Sequence, residues 1–195
     1  MITFFCGVDL GQSNDPTAIV IVEKIQPSRD PALYHARHVE RLPLGTSYPQ
    51  VVRSVHQLVQ STALYKKVSL VIDHTGVGRP VFDQFREAQL DCPLNAVTIT
   101  GGDTVQQEGT WYRVPKRDLI GAAQVLLQDH RLKIAPTLPE APMLVKELQN
   151  FRVKIDPKTA HDSYSAWREG IHDDLVLALS LACWMGERNK GELMW

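Results

Sequence analysis

Between Leu175 and Met185 the chain reads Leu-Val-Leu-Ala-Leu-Ser-Leu-Ala-Cys-Trp-Met, which is apolar around nearly the whole circumference of a helix. A helix with no solvent-facing stripe must be enclosed by the rest of the protein. At 195 residues the chain suits one domain with a substantial core, so the other elements must pack on this helix. Two adjacent acids, Asp173 and Asp174, open it beside His172, at the rim of that core. Capping explains one of them, because Asp at an N-cap or in a first turn stabilises by roughly 0.5–2 kcal/mol. It explains a pair less well.

The surrounding pattern is α/β. Ile2 to Val8 is a β-rich run ending in Asp9-Leu10-Gly11, and the turn residues Ser13-Asn14-Asp15-Pro16 lead into a second strand, Thr17 to Val22. These two form an antiparallel hairpin, with Leu33 to Leu42 as a weaker third strand. Apolar residues at helical spacing then run from Tyr48 to Tyr65, followed by a buried strand, Val68 to Ile72, a glycine loop from His74 to Pro80, a helix from Val81 to Leu90, and a strand from Leu94 to Ile99. Strand and helix alternating in this way predict a parallel sheet. Beyond a polar loop, Gly101 to Gly109, the extended piece Trp111 to Val114 enters an amphipathic helix through Leu127. Arg131 to Ile134 is extended, Pro139 and Pro142 open a helix to about Phe151, Phe151 to Ile155 alternates like a strand, and Asp156 to Arg168 reads as a polar connection. The expected architecture is a mixed sheet, an antiparallel hairpin beside parallel strands, covered by helices.

Three acidic positions share one kind of location. Asp9 ends the first strand, Asp73 ends the first parallel strand, and Asp173 and Asp174 open the last helix. In open α/β sheets the crevice beyond the carboxyl ends of strands is the usual site, and neighbouring parallel strands put Asp9 and Asp73 at the same edge. Two such charges about 4 Å apart repel by roughly 4 kcal/mol at an effective dielectric of ~20. Either one carboxyl holds a proton or a divalent cation neutralises them, and oxygen donors without a Cys/His set favour Mg2+ or Mn2+. Two such ions form the clamp used in phosphodiester cleavage. The bland alternatives are a turn residue for Asp9 and a cap of the glycine loop for Asp73. His74 and His172 adjoin these acids as outer partners or proton carriers.

Net charge of -1 neither predicts nor excludes a nucleic-acid partner. Locally, Arg113, Lys116 and Arg117 stand beside Trp111 and Tyr112, and Arg79 lies in the glycine loop; these are the candidate DNA contacts. Lys116 stands out because a lysine at a helix start opposes the dipole, an effect that a nearby phosphate would offset. The sequence has no GxxxxGK[ST] motif, which excludes a P-loop ATPase. Three dispersed cysteines, no basic leader and no membrane-length apolar run fit a reduced cytoplasmic protein.

The motifs Gly7-Val-Asp9 with its Asp-Pro turn, Val71-Ile-Asp73 with Thr75-Gly-Val-Gly78, Val114-Pro-Lys-Arg-Asp118, and Gly170 through Ala182 resemble, in order, the nuclease domain of tailed-bacteriophage large terminase subunits. The resemblance implies an RNase H-like fold with a five-stranded or larger sheet flanked by helices on both faces. It implies two-metal, Mg2+- or Mn2+-dependent endonucleolytic cutting of double-stranded DNA during genome packaging. Asp9, Asp73, Asp173 and Asp174 would be the catalytic metal ligands, Asp174 the direct one and Asp173 auxiliary, with Lys116 near the DNA. Family partners would be an ATPase motor, a portal and a small terminase subunit, in the cytoplasm of a bacterial host. The motor precedes the nuclease in those proteins, whereas this chain starts almost at the first strand. It is therefore expected to be one nuclease domain over 1–195, excised, separately encoded, or served by a motor on another chain. Two rival readings are a non-catalytic DNA-binding or assembly module of the same fold, and an actin-like or sugar-kinase-type phosphate-binding domain suggested by Gly7-Val-Asp-Leu-Gly11.

Overall fold

The computed structural model describes residues 2–11, 15–76, 78–155, 162–166 and 173–189. His172 lies outside that set. Strand β1 (Ile2–Asp9) is central. It pairs antiparallel with β2 (Ala18–Ile25), which pairs antiparallel with β3 (Leu33–Arg41). On its other side β1 runs parallel to β4 (Val68–Asp73), then come β5 (Leu94–Thr100) and β7 (Trp111–Pro115), all parallel. The short strands β6 (Gln106–Glu108) and β8 (Leu132–Ile134) complete the edges, giving the order β6-β7-β5-β4-β1-β2-β3-β8. The expected mixed sheet is thus present with eight strands.

Alternation along β1 sends Phe5 to one face and Cys6 and Val8 to the other, and each face is closed by helices. Helices α1 (Tyr48–Val59) and α2 (Gly78–Glu87) cover the Cys6 side. Helices α3 (Lys116–Gln128), α4 (Ala141–Asn150) and α5 (Asp174–Arg188) cover the Phe5 side. As its composition demands, α5 is enclosed: every residue from Asp174 to Gly186 is buried. It lies directly on β1 at Gly7, where a Cβ would overlap the carbonyl oxygen of Ala178. Only glycine lets the helix backbone come this close.

The far end of α5 is fastened by charge. Lys24 Nζ donates to the carbonyls of Gly186 (2.7 Å) and Asn189 (2.6 Å), the favourable sense for a cation at a helix C-terminus. Tyr34 Oη and Arg131 both donate to Glu187, each at 2.7 Å. Held there and at Gly7, the helix has a fixed start.

Several local readings change. Helix α1 stops at Val59, short of Tyr65, because Ser61 and Thr62 favour turns over helix and Lys66 takes a left-handed conformation (φ 56°). Residues 106–108, within the expected loop, form a hairpin with β7 about Gly109 (φ 59°). The strand β9 (Phe151–Ile155) pairs with β10 (Asp162–Ala166) in a sheet of its own. Asp-Ser-Tyr-Ser-Ala is too polar to announce that second strand inside what reads as a connection. All three cysteines are free. No helix among the described residues is long and apolar enough to cross a membrane.

Candidate active site

Strand pairing lays the acids in one row. Asp9 is paired with Ala18, and Ala18 with Arg41. On the other side Val8 pairs with Ile72, one residue before Asp9 and Asp73, so these two acids end adjacent strands about 4.8 Å apart. Asp73 in turn pairs with Val97, and Val97 with Tyr112. Ala18, Val97 and Tyr112 belong to the core on the α5 side, so the row faces that helix. Its start, with Asp173 at the N-cap and Asp174 in the first turn, comes down over the row.

Arg41 reaches the row through an irregularity. On β3 the α5-side core residues are Tyr34 and Ala36, then Val39. The register shifts opposite Ile21 and Val22, with Arg37 as the extra residue. A one-residue slip reverses the face of everything beyond it, and here it turns Val39 and Arg41 inward. Arg41 then grips Asp174 with two hydrogen bonds, Nε to Oδ2 at 2.7 Å and a terminal nitrogen to Oδ1 at 3.1 Å. It also pairs with Glu147 of α4. Asp174 and Glu147 are each 3% exposed. Neither Arg41 nor Glu147 is legible as a site residue in the sequence. The one signal is an acid at a core-facing position of α4, three residues after the buried Leu144.

On the opposite flank Lys116 Nζ lies 3.2 Å from Asp173 Oδ2. The helix-start lysine thus meets a carboxylate of the protein, where the sequence suggested a phosphate. The Asp173 side chain makes no capping hydrogen bond, so capping does not account for it. Asp73 does serve the glycine loop: Thr75 N donates to its Oδ1 at 2.7 Å, and Thr75 Oγ1 accepts from Ile99 N at 2.7 Å. Beyond β1, Gly11 N donates to Thr17 Oγ1 at 3.0 Å.

Among the described residues, five carboxyl groups therefore meet two cations. Burial, and then the charges of Asp73, Asp174 and Asp173, push the Asp9 carboxyl well above its ordinary range, against the opposing pull of Lys116. Burial also raises Asp73, against the hydrogen bonds from Thr75 and the charge of Lys116.

The other sequence candidates lie apart from this row. His74 turns to the α2 side, edge-on to Trp111 (5.0 Å between ring centres) and Phe82 (6.0 Å), so it does not flank the acids as an outer partner. Burial, with Arg79 nearby, lowers its pKa. Arg79 and Arg113 line a groove of about 610 Å³ with Trp111 and Gln106. Arg113 alternates with the inward-facing Tyr112 and Val114, and Arg79 stacks 5.8 Å from the Trp111 ring. That groove is on the face of the sheet opposite the acids. Arg117 is paired with Asp103 at 2.9 Å.

No protein-family model matches the chain, and no curated protein matches it by sequence. Among solved structures it is similar to the large terminase nuclease from thermophilic phage G20c, at 18% identity and a TM-score of 0.65 over 93% of this chain and 81% of that one. It is similar also to a variant nuclease domain of the large terminase subunit gp2 of bacterial virus Sf6 solved with manganese and beta-thujaplicinol, at 12% identity and TM-score 0.68, over 93% and 87% of the two chains. A third is the large terminase nuclease domain of bacteriophage SPP1 with bound Mn, at 14% identity and TM-score 0.56, over 92% and 84%.

The fold is the RNase H-like fold of large terminase nuclease domains. At these identities the likeness is one of fold, so the chemistry rests on this chain's own residues. Their donor atoms are all carboxylate oxygens, the ligands that hard divalent cations take. Their excess negative charge is of the kind such a cation relieves. Among the described residues no three such side chains are already gathered as a ligand set; Asp174 and Glu147 are held by Arg41, Asp173 by Lys116 and Asp73 by Thr75. The donor set suits Mg2+ or Mn2+, and closing it around a cation requires some of these contacts to be exchanged.

Proposed function

We propose that this chain is a divalent-metal-dependent endonuclease that hydrolyses double-stranded DNA, acting as the nuclease of a viral genome-packaging machine. The observation that carries the reading is the placement of Asp9 and Asp73 side by side at the end of the central parallel strands, under a buried helix that brings Asp173 and Asp174 to them. Asp9, Asp73 and the Asp173/Asp174 pair would hold two Mg2+ or Mn2+ ions. Such ions supply an activated water and stabilise the leaving oxygen. Lys116, at the rim of the same site, is suited to a scissile-strand phosphate. Arg79 and Arg113, in their groove with Trp111, are suited to DNA beyond the cut. The large terminase nuclease fold supports a packaging role, with a motor, a portal and a small terminase subunit as the partners such a nuclease would need. Its place of action would be the cytoplasm of an infected bacterium.

The experiment is plasmid relaxation. Supercoiled plasmid should be nicked and then linearised with Mn2+ or Mg2+ and spared in EDTA, and Asp73→Asn should abolish cutting with an unchanged circular dichroism spectrum. A wild-type protein that leaves plasmid intact with either metal refutes the nuclease reading. A folded Asp73→Asn protein that still cuts removes Asp73 from the ligand set.

A further inference from the structure

Among the described residues two cations flank the acids, and they are held differently. Arg41 is clamped: its side chain is 18% exposed, it makes two hydrogen bonds to Asp174, and it is backed by the buried Glu147. Lys116 is loose by comparison. It makes a single contact with Asp173, and both side chains are about one quarter exposed. Its four-carbon stem permits movement that a bidentate guanidinium does not, and the ring of Phe151, 5.8 Å from Nζ, offers it a second resting place. Its charge is felt by Asp9 and Asp73 as well as by Asp173, so it acts on three of the acids at once.

We infer that Lys116 is the built-in counter-cation of the acid site, competing with a divalent ion for the Asp173 carboxylate and released by that ion to meet a DNA phosphate. The inference rests on the nuclease reading and adds to it an order of events. A free ammonium and a divalent cation cannot share one small cluster of oxygens without strong repulsion, and Asp173 Oδ2 is the oxygen that Lys116 holds. Metal entry therefore breaks the one contact at the rim, while the Arg41 clamp on Asp174 remains. The lysine is then free at the mouth of the site, with a positive helix start behind it. An anionic backbone is the group that position would attract.

The test is calorimetric titration of Mn2+ into the wild-type protein and into Lys116→Gln, Lys116→Met and Lys116→Arg at one pH and ionic strength, without DNA. The two neutral variants should bind Mn2+ roughly tenfold more tightly, from removal of one unit charge a few ångströms away at a partly solvated rim. Lys116→Arg should stay within about twofold of wild type, because it keeps the charge. At saturating Mn2+ the neutral variants should nick plasmid more slowly than wild type, having lost the phosphate contact. A lysine serving only to hold the fold would lower thermal stability without tightening Mn2+. Neutral variants that bind Mn2+ no more tightly than wild type overturn the counter-cation role and leave the nuclease reading standing. Absence of Mn2+ binding by all four proteins overturns both.

Discussion

Glu147 offers the sharpest test of how the site is supported. It lies on the inner face of α4, 3% exposed, paired with Arg41. Burial first, and the charge of Asp174 second, push its carboxyl from the ordinary 4.5 up to about 7, although Arg41 pulls it down. A group whose pKa is higher in the folded protein contributes stability that is fully present below its unfolded value and lost as pH rises through its folded value. For Glu147 the window runs from about pH 4.5 to about pH 7. At 1.36 kcal/mol per pH unit, the difference amounts to about 3 kcal/mol at pH 8. Glu147→Gln retains a carbonyl oxygen for Arg41 and cannot ionise, and it leaves the Arg41 grip on Asp174 intact. In urea unfolding at pH 5, 6, 7 and 8, the variant should exceed wild type by about 2–3 kcal/mol at pH 8, with the gap closing toward pH 5. A variant equal to or weaker than wild type at pH 8, or a gap independent of pH, would refute the claim that a strained carboxylate backs the Arg41 clamp.

Other expectations follow from the same geometry. Arg41→Ala strands two buried carboxylates and should cost about 3–5 kcal/mol in denaturant unfolding at pH 8; a loss below 1 kcal/mol would mean that Arg41 is not holding them. Gly7→Ala forces α5 off β1 and should destabilise by about 3 kcal/mol, with plasmid nicking falling further than the folded fraction does, since the helix carries Asp173 and Asp174. Nicking that tracks the folded fraction would separate the Gly7 contact from the site.

Much of this protein is written locally. A β-rich apolar run ending at Asp9, a buried strand ending at Asp73 and an apolar helix after Asp173 are signals that composition and spacing carry by themselves. They made the mixed sheet, the enclosed helix and the acidic edge legible. The row formed by Asp9 and Asp73 follows from the parallel pairing of two strands that end at the same height. Lys116 was legible as an anomaly, a cation at the wrong end of a helix, but its partner was not.

What the sequence could not specify depends on contacts between distant segments. The bulge that turns Arg41 inward is set by register between β2 and β3, and no residue near Arg37 announces it. Glu147 reads as an ordinary helical glutamate until α4 is packed beside Arg41 and α5. His74 follows Asp73 in the chain, yet it points across the sheet to Trp111, because successive residues at a strand end face opposite sides. Sequence alone marked four acids at two strand ends and at the start of one buried helix, since local pattern fixes that much, and strand pairing and helix packing then brought them together. Only the tertiary structure decided which cation holds which acid, because ion pairs form between side chains whose meeting depends on register and packing across the whole sheet.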